Sequence, residues 1–274
     1  MISRKTYFPE LCMGGGGTIP SWTLPLPSLD RVEAGSTMPS RLLIINPNGS
    51  SAITQLIKSG IDHHLDPETL TTYWTCPDGP PVLQSHDIDE NADQCFSLLL
   101  DIIGDYDAFL LACYAVHPLV TLLQARVGPK PVVGIFEASI CAALRDLQPT
   151  KHFAILTTGE AYEKHLEDGV LRLIGKSRAN SFFAGVVATS IGIHDLAKES
   201  QGTIKAKMKA GVKKLLGKCD IAAICIGGVI LFGMEPLIRE ACQEELGREA
   251  GREIIVVDQF EAGAVMVRNA LENK

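Results

Sequence analysis

A chain of 274 residues that is 46% hydrophobic and 21% charged can bury a sizeable core, in one large domain or two small ones. Its net charge of -7 argues against nucleic acid or an anionic membrane surface as the main partner, and no apolar run is long enough to span a bilayer. What this composition leaves is a small-molecule substrate.

Residues 1–40 carry four consecutive glycines, Gly14 to Gly17, with many Pro and Ser and no periodic apolar pattern. They read as an irregular N-terminal arm. A sharper alternative has the arm packing on a partner subunit through Trp22. Arg4 and Lys5 precede no adequate hydrophobic stretch, so a secretory leader is not expected. The eight cysteines are scattered, without a CxxC pair or a zinc-like Cys/His cluster. That usage suits a reducing compartment, and the chain is read as cytoplasmic.

From Arg41 onward, apolar strand-like runs alternate with longer amphipathic segments. Strand 42–46 leads to a helix at 52–59, strand 70–75 to 92–103, strand 108–113 to 118–127, and strand 132–135 to 139–147. The pattern then repeats: strand 152–157 leads to 161–173, strand 182–188 to 204–216, and strand 221–226 to 235–245, before a last strand at 254–257. Near-continuous apolar strands separated by helices indicate parallel sheets covered on both faces. The strands form two groups of four, each with a polar or glycine-containing signature after its first and third members. The expected architecture is therefore α/β, with two pseudo-symmetric lobes, each a parallel, mostly four-stranded sheet flanked by helices, and an active site in the cleft between them. Residues 41–136 with 258–274 make the first lobe and 137–257 the second.

The first signature is Asn46-Pro47-Asn48-Gly49-Ser50-Ser51. Its short amide and hydroxyl groups can cap the next helix, and Asn48 and Ser50 can bind a substrate oxygen. The third strand delivers Cys113 at its carboxyl edge, where open α/β sheets place their ligands and where helix-terminus amides can lower a thiol pKa. Cys113 is the leading candidate for a catalytic thiolate. Tyr114 follows it, and His117 is either its proton partner or the cap of the helix beginning at Pro118. Glu137, after the fourth strand, is either a cleft carboxylate or a first-turn acid favoured by the helix dipole. Thr157 and Thr158 with Gly159 repeat the Asn48 context in the second half, and Gly227-Gly228 lets the backbone approach a ligand. His63, His64, His86, His165 and His194 show no ligand spacing, so no metal is assigned.

With these strand-end loops in place, the chain resembles the aspartate/glutamate/hydantoin racemase superfamily, in its hydantoin-racemase-like branch. The matching stretches are Ile44–Ser50 (IINPNGS), Leu111–Leu119 (LACYAVHPL), Val132–Ser139 (VVGIFEAS) and Ile155–Gly159 (ILTTG). The resemblance covers Arg41 to about Val267. It implies an active site between two lobes, no metal and no pyridoxal cofactor, and two cysteines acting on opposite faces of a carbon acid. One thiolate removes the proton alpha to a carbonyl while the other thiol returns one, and amides and hydroxyls hold the enolate-like intermediate. Cys113 falls on the first-lobe cysteine. His117 stands where the racemases usually carry an acid, and the second-lobe motif departs from Gly-Cys-Ala-Gly-Met. One alignment puts Gly228 at the second cysteine; another keeps the thiol as Cys225 but displaces the glycines, against strand alternation.

The expected function is a cofactor-independent racemase or isomerase acting on a hydantoin-like or amino-acid-derived carbon acid. Cys113 is its acid/base, His117 the partner or second proton carrier, and Asn48, Ser50, Tyr114, Glu137, Thr157 and Thr158 contact the substrate. The alternatives are a single-cysteine lyase or decarboxylase and a non-catalytic ligand-binding descendant of the fold. Lobed α/β enzymes of this size often pair, so a homo-oligomer is an expectation too.

Overall fold

The computed structural model describes residues 38–145 and 147–273. The expected N-terminal arm lies outside them apart from residues 38–40. All eight expected strands are present, in two parallel sheets of four. The first holds β1 (Arg41–Asn46), β2 (Leu70–Thr75), β3 (Ala108–Leu111) and β4 (Val132–Gly134) in the order β2-β1-β3-β4. The second holds β5 (His152–Thr157), β6 (Phe183–Ala188), β7 (Ile221–Gly227) and β8 (Ile255–Val257) in the order β6-β5-β7-β8. The two orders are the same pattern written twice.

Strand parity builds the core. Leu42, Ile44, Ala108 and Leu110 of the first sheet join Phe153, Ile155, Ala223 and Cys225 of the second in one cluster between the sheets. The alternate residues Leu43, Ile45, Phe109 and Leu111 face outward, under α2 (Ile88–Leu99) and α3 (Pro118–Val127). Ala154, Leu156, Ile224 and Ile226 likewise face α8 (Gln201–Leu216) and α9 (Glu235–Leu246). The layer between the sheets is filled by α1 (Ser51–Ile61), α4 (Ile135–Arg145), α5 (Glu163–Ile174) and α11 (Gln259–Glu272), so β1, β3, β5 and β7 are covered on both faces. Two-faced burial is why these strands read as unbroken apolar runs.

The boundaries differ from expectation at the places that matter for chemistry. Strand β3 ends at Leu111; Ala112 still donates its N–H to Ile45 O at 2.9 Å, and Cys113 lies beyond the ladder. Strand β4 ends at Gly134, and α4 begins at once at Ile135 rather than at 139. Helices α6 (Lys176–Phe182), α7 (Ile193–Lys198), α10 (Arg248–Glu253) and α11 were not anticipated as helices. Helix α11 packs on α1, α4 and β3, against the first sheet. Among the described residues no helix is long and apolar enough to cross a membrane.

Phe260 anchors α11 from a fully buried position, its ring 5.4 Å from that of Phe232 and pressed on α1 where Gly60 leaves room. Phe260→Ala is expected to cost about 3–5 kcal/mol, the usual range for deleting a buried aromatic ring. Urea unfolding followed by circular dichroism measures it.

Candidate active site

In a sheet of order β2-β1-β3-β4 the connections leave β1 and β3 in opposite directions, which opens a crevice at their carboxyl ends. The second sheet does the same at β5 and β7. Both crevices contribute to one cleft of about 880 Å³, lined by Asn48, Cys113 and Tyr114 from the first sheet's loops and by Thr157, Thr158, Gly227 and Gly228 from the second's. The signatures after the first and third strands of each half thus lie together for a topological reason.

Cys113 continues the parity of Leu111, so its half-buried thiol packs toward Leu83, Ile88 and Ala115 at the cleft wall rather than into the interlobe core. Burial pushes the thiol pKa up to about 12, and the nearby Glu137 charge pushes in the same direction. This corrects the expectation of a thiol activated by helix amides: at neutral pH the group is held as the thiol.

His117 does not line the cleft. It is buried at 2% exposure and caps α3, its Nδ1 accepting the Leu119 N–H at 3.3 Å while Nε2 lies 3.1 Å from Asn91 Oδ1. Asn91 in turn donates to Pro47 O at 2.9 Å, so the histidine steadies the Asn48 loop from behind. Burial holds its pKa down to about 4, with the charge of His165 adding to the effect. A neutral ring with both nitrogens engaged is a structural cap; the proton-carrier assignment is corrected on that ground.

The two readings of the second-lobe motif separate cleanly. Cys225 shares the parity of Ala223, is fully buried, and points its Sγ at Ser139 O, 3.6 Å away, behind the cleft. Gly228 lines the cleft, and a Cβ built on it would meet the Thr158 methyl at 2.8 Å. Its carbonyl accepts a hydrogen bond at 3.0 Å from Gln259 Nε2, itself fully buried.

The remaining expected contacts divide. Asn48 lines the cleft with a buried Oδ1 that has no partner among the described residues. Thr158 lines it too. Ser50 is the N-cap of α1, accepting from Ile53 N at 3.3 Å, and is absent from the cleft lining. Thr157 borders the cleft, but its hydroxyl donates to Gly227 O at 2.6 Å and is only 1% exposed. Tyr114 turns its hydroxyl to Ser139 Oγ at 2.8 Å and its ring edge-on to Phe136, below the cleft. Glu137 sits in the first turn of α4 outside the lining, its Oε2 buried and unpartnered among the described residues.

Other lining residues were not anticipated. Tyr162, from a 3-10 turn after β5, donates its hydroxyl across the cleft to Leu83 O at 2.9 Å. The loop 81–84 after β2 and the segment 190–195 after β6 form the rims. Ser190 there has a φ of 55°, a left-handed backbone uncommon for a residue with a side chain. The outer strands were the missed signal, because their loops also end at the carboxyl edge. Among the described residues no three His, Cys, Asp or Glu gather as a metal site requires.

Comparison with known proteins agrees with this geometry. The sequence model of the Asp/Glu/hydantoin racemase family matches residues 42–267. An uncharacterized protein of Schizosaccharomyces pombe is 29% identical over 229 residues, 83% of this chain and 90% of its own. The hydantoin racemase of Paenarthrobacter aurescens is 24% identical over 227 residues, 81% of this chain and 87% of its own. Among solved structures, the allantoin racemase of Pseudomonas fluorescens superposes with a TM-score of 0.68 at 20% identity, over 85% of this chain and 91% of that one, a likeness of fold.

The His117 site predicts a pH signature. Its folded pKa near 4 lies below the unfolded value near 6.5, so the unfolded chain binds the proton first as pH falls. Stability should therefore be intact above about pH 6.5 and decline by about 1.4 kcal/mol per pH unit from this group down to about pH 4. His117→Asn should reduce that slope by one proton, seen in urea midpoints between pH 4 and 7.

Proposed function

The chain belongs to the Asp/Glu/hydantoin racemase family, and from that premise we propose a thiol-dependent racemase or isomerase that moves a proton at the carbon alpha to a carbonyl of a neutral, hydantoin-like substrate. The observation that carries this reading is the lining around Cys113: amides, hydroxyls and apolar side chains, with Glu160, Asp195 and the imidazole of His194 and no lysine or arginine. A free amino acid's carboxylate entering there meets Glu160 and Asp195, the latter paired with Lys207 at 3.3 Å, and no lysine or arginine in the lining itself, at an electrostatic cost that grows as water is expelled. A cyclic ureide brings N–H donors and carbonyl acceptors instead. The unpartnered Asn48 Oδ1 supports the same reading, since leaving a buried acceptor unmet costs about 1–3 kcal/mol and a substrate N–H can meet it.

In this scheme Cys113 Sγ exchanges the proton at carbon, and the enolate-like oxygen is held by neutral donors of the cleft. Tyr162 joins the two cleft walls through Leu83 O and limits how far they part. A second reading is favoured by one specific observation: Gly228 brings no side chain to the cleft and Cys225 is turned away from it. One thiol suits a lyase or decarboxylase, which needs a proton delivered to a single face.

For a 5-substituted hydantoin in deuterated water, the wild-type chain is expected to exchange the C5 proton, read by NMR. Cys113→Ser should lower that rate by about 10²-fold or more, and free glutamate should stay unexchanged. Undiminished exchange in the serine variant, or exchange confined to free amino acids, contradicts the reading. Carbon dioxide released from a malonate-type substrate without exchange of the hydantoin selects the lyase.

A further inference from the structure

We propose that Glu137 is the proton acceptor for Cys113, so that the carbon acid is deprotonated through a concerted relay in which Sγ takes the substrate proton as it passes its own to the Glu137 carboxylate. The inference rests on the thiol chemistry proposed above and names a group that the cleft lining itself does not contain.

Leu111 of β3 lies beside Gly134 of β4, and Cys113 follows Leu111 by two residues. Helix α4 begins directly at Ile135, which brings Glu137 round within its first turn, back over the end of β4. The carboxyl is seated where Gly134 has no side chain: a Cβ there would lie on Glu137 Oε2. Val120 of α3 closes the same berth. Oε2 is thus buried beside the end of β3 with no hydrogen-bond partner among the described residues.

A buried, unmatched carboxyl oxygen is costly as a structural element, and a first-turn acid that only complements a helix dipole belongs in solvent. The thiol of Cys113 lies two residues past Leu111, the neighbour of Gly134 across the strand pair. The Glu137 charge acts on Cys113, and burial raises the acid's own pKa to about 7, into the range where a general base works best at neutral pH. The other titratable groups facing the pair are Tyr114 beside Glu137, and Tyr162 and Cys95 beside Cys113.

The relay also answers a difficulty of the site. A thiol with its pKa near 12 supplies almost no free thiolate at neutral pH. In the relay none accumulates: the substrate C–H bond breaks as an S–H bond forms, and the original S–H bond breaks as an O–H bond forms on Glu137. The products are an enolate, a thiol and a carboxylic acid, and reversal returns the proton. Charge moves from carboxylate to enolate and its total is unchanged.

The test alkylates Cys113 in the full chain with iodoacetamide, read peptide by peptide in a mass spectrometer, from pH 6 to 9. If thiol and carboxyl share one negative charge, the wild-type rate rises until Glu137 ionises near pH 7 and then flattens. Glu137→Gln should keep rising tenfold per unit and react on the order of tenfold faster than wild type by pH 9. The same variant should lose about 10²-fold or more of its hydantoin C5 exchange. A thiol that ionises more easily yet catalyses less well is a signature that general damage does not produce. Gly134→Ala, which pushes the flexible carboxyl out of its berth, should behave likewise. Parallel alkylation profiles for wild type and both variants, or full exchange activity in Glu137→Gln, overturn the proposal. A wild-type chain that exchanges no hydantoin strikes the substrate reading instead, and the alkylation profiles still decide the pairing.

Discussion

Two neighbouring acidic groups withdrawn from water can hold one negative charge at low cost but not two, and the end of the first sheet, at and behind the cleft wall, puts Cys113 and Glu137 under that constraint. Cys113 and Glu137 both lose solvent at the end of the first sheet, and both are held toward their neutral forms by that loss. Neither a lysine, an arginine nor a metal-binding cluster stands among the described lining residues to offset a second charge. A site of this kind favours chemistry in which charge is passed on rather than generated, and proton exchange at a carbon acid with a neutral substrate has that character.

Backbone parity decides which groups take part. Of the cysteines near the two sheet ends, Cys113 follows the outward phase of β3 and reaches the cleft wall, whereas Cys225 follows the inward phase of β7 and is absorbed by the interlobe core. The same core contact locks Tyr114 to Ser139 beneath the cleft. The lobes meet through side chains that also support the site, so cleft geometry and core packing are not independent. His117, Asn91 and Pro47 form a parallel support on the other side, fixing the loop that presents Asn48.

Much of this was legible in the chain. Eight strands, their division into two fours and the strand-end signatures follow from two-faced burial, which writes continuous apolar runs into sequence. Local turn chemistry placed Cys113, Asn48, Thr158 and Gly228 at the cleft. Most of the misreadings share a cause: a side chain's partner can lie far along the chain. His117 reads as a proton carrier until Asn91, 26 residues earlier, occupies its Nε2. Ser50 and Thr157 carry hydroxyls that the backbone uses first. The raised thiol pKa depends on packing against Leu83 and Ile88, which no spacing near Cys113 announces. Tyr162 belongs to the same group, since its importance comes from a carbonyl 79 residues away.

The central claim, that one thiol on one wall of the cleft exchanges the proton at carbon, is tested most directly by the stereochemistry of exchange. A single enantiomer of a 5-substituted hydantoin is incubated in deuterated water and both enantiomers are analysed for deuterium at early times. One thiol returning a proton to the face it came from predicts deuterium in the unreacted enantiomer at least as fast as inversion. Deuterium found only in the inverted enantiomer, with the starting pool unlabelled, would mean a second proton carrier on the opposite face and would contradict this account.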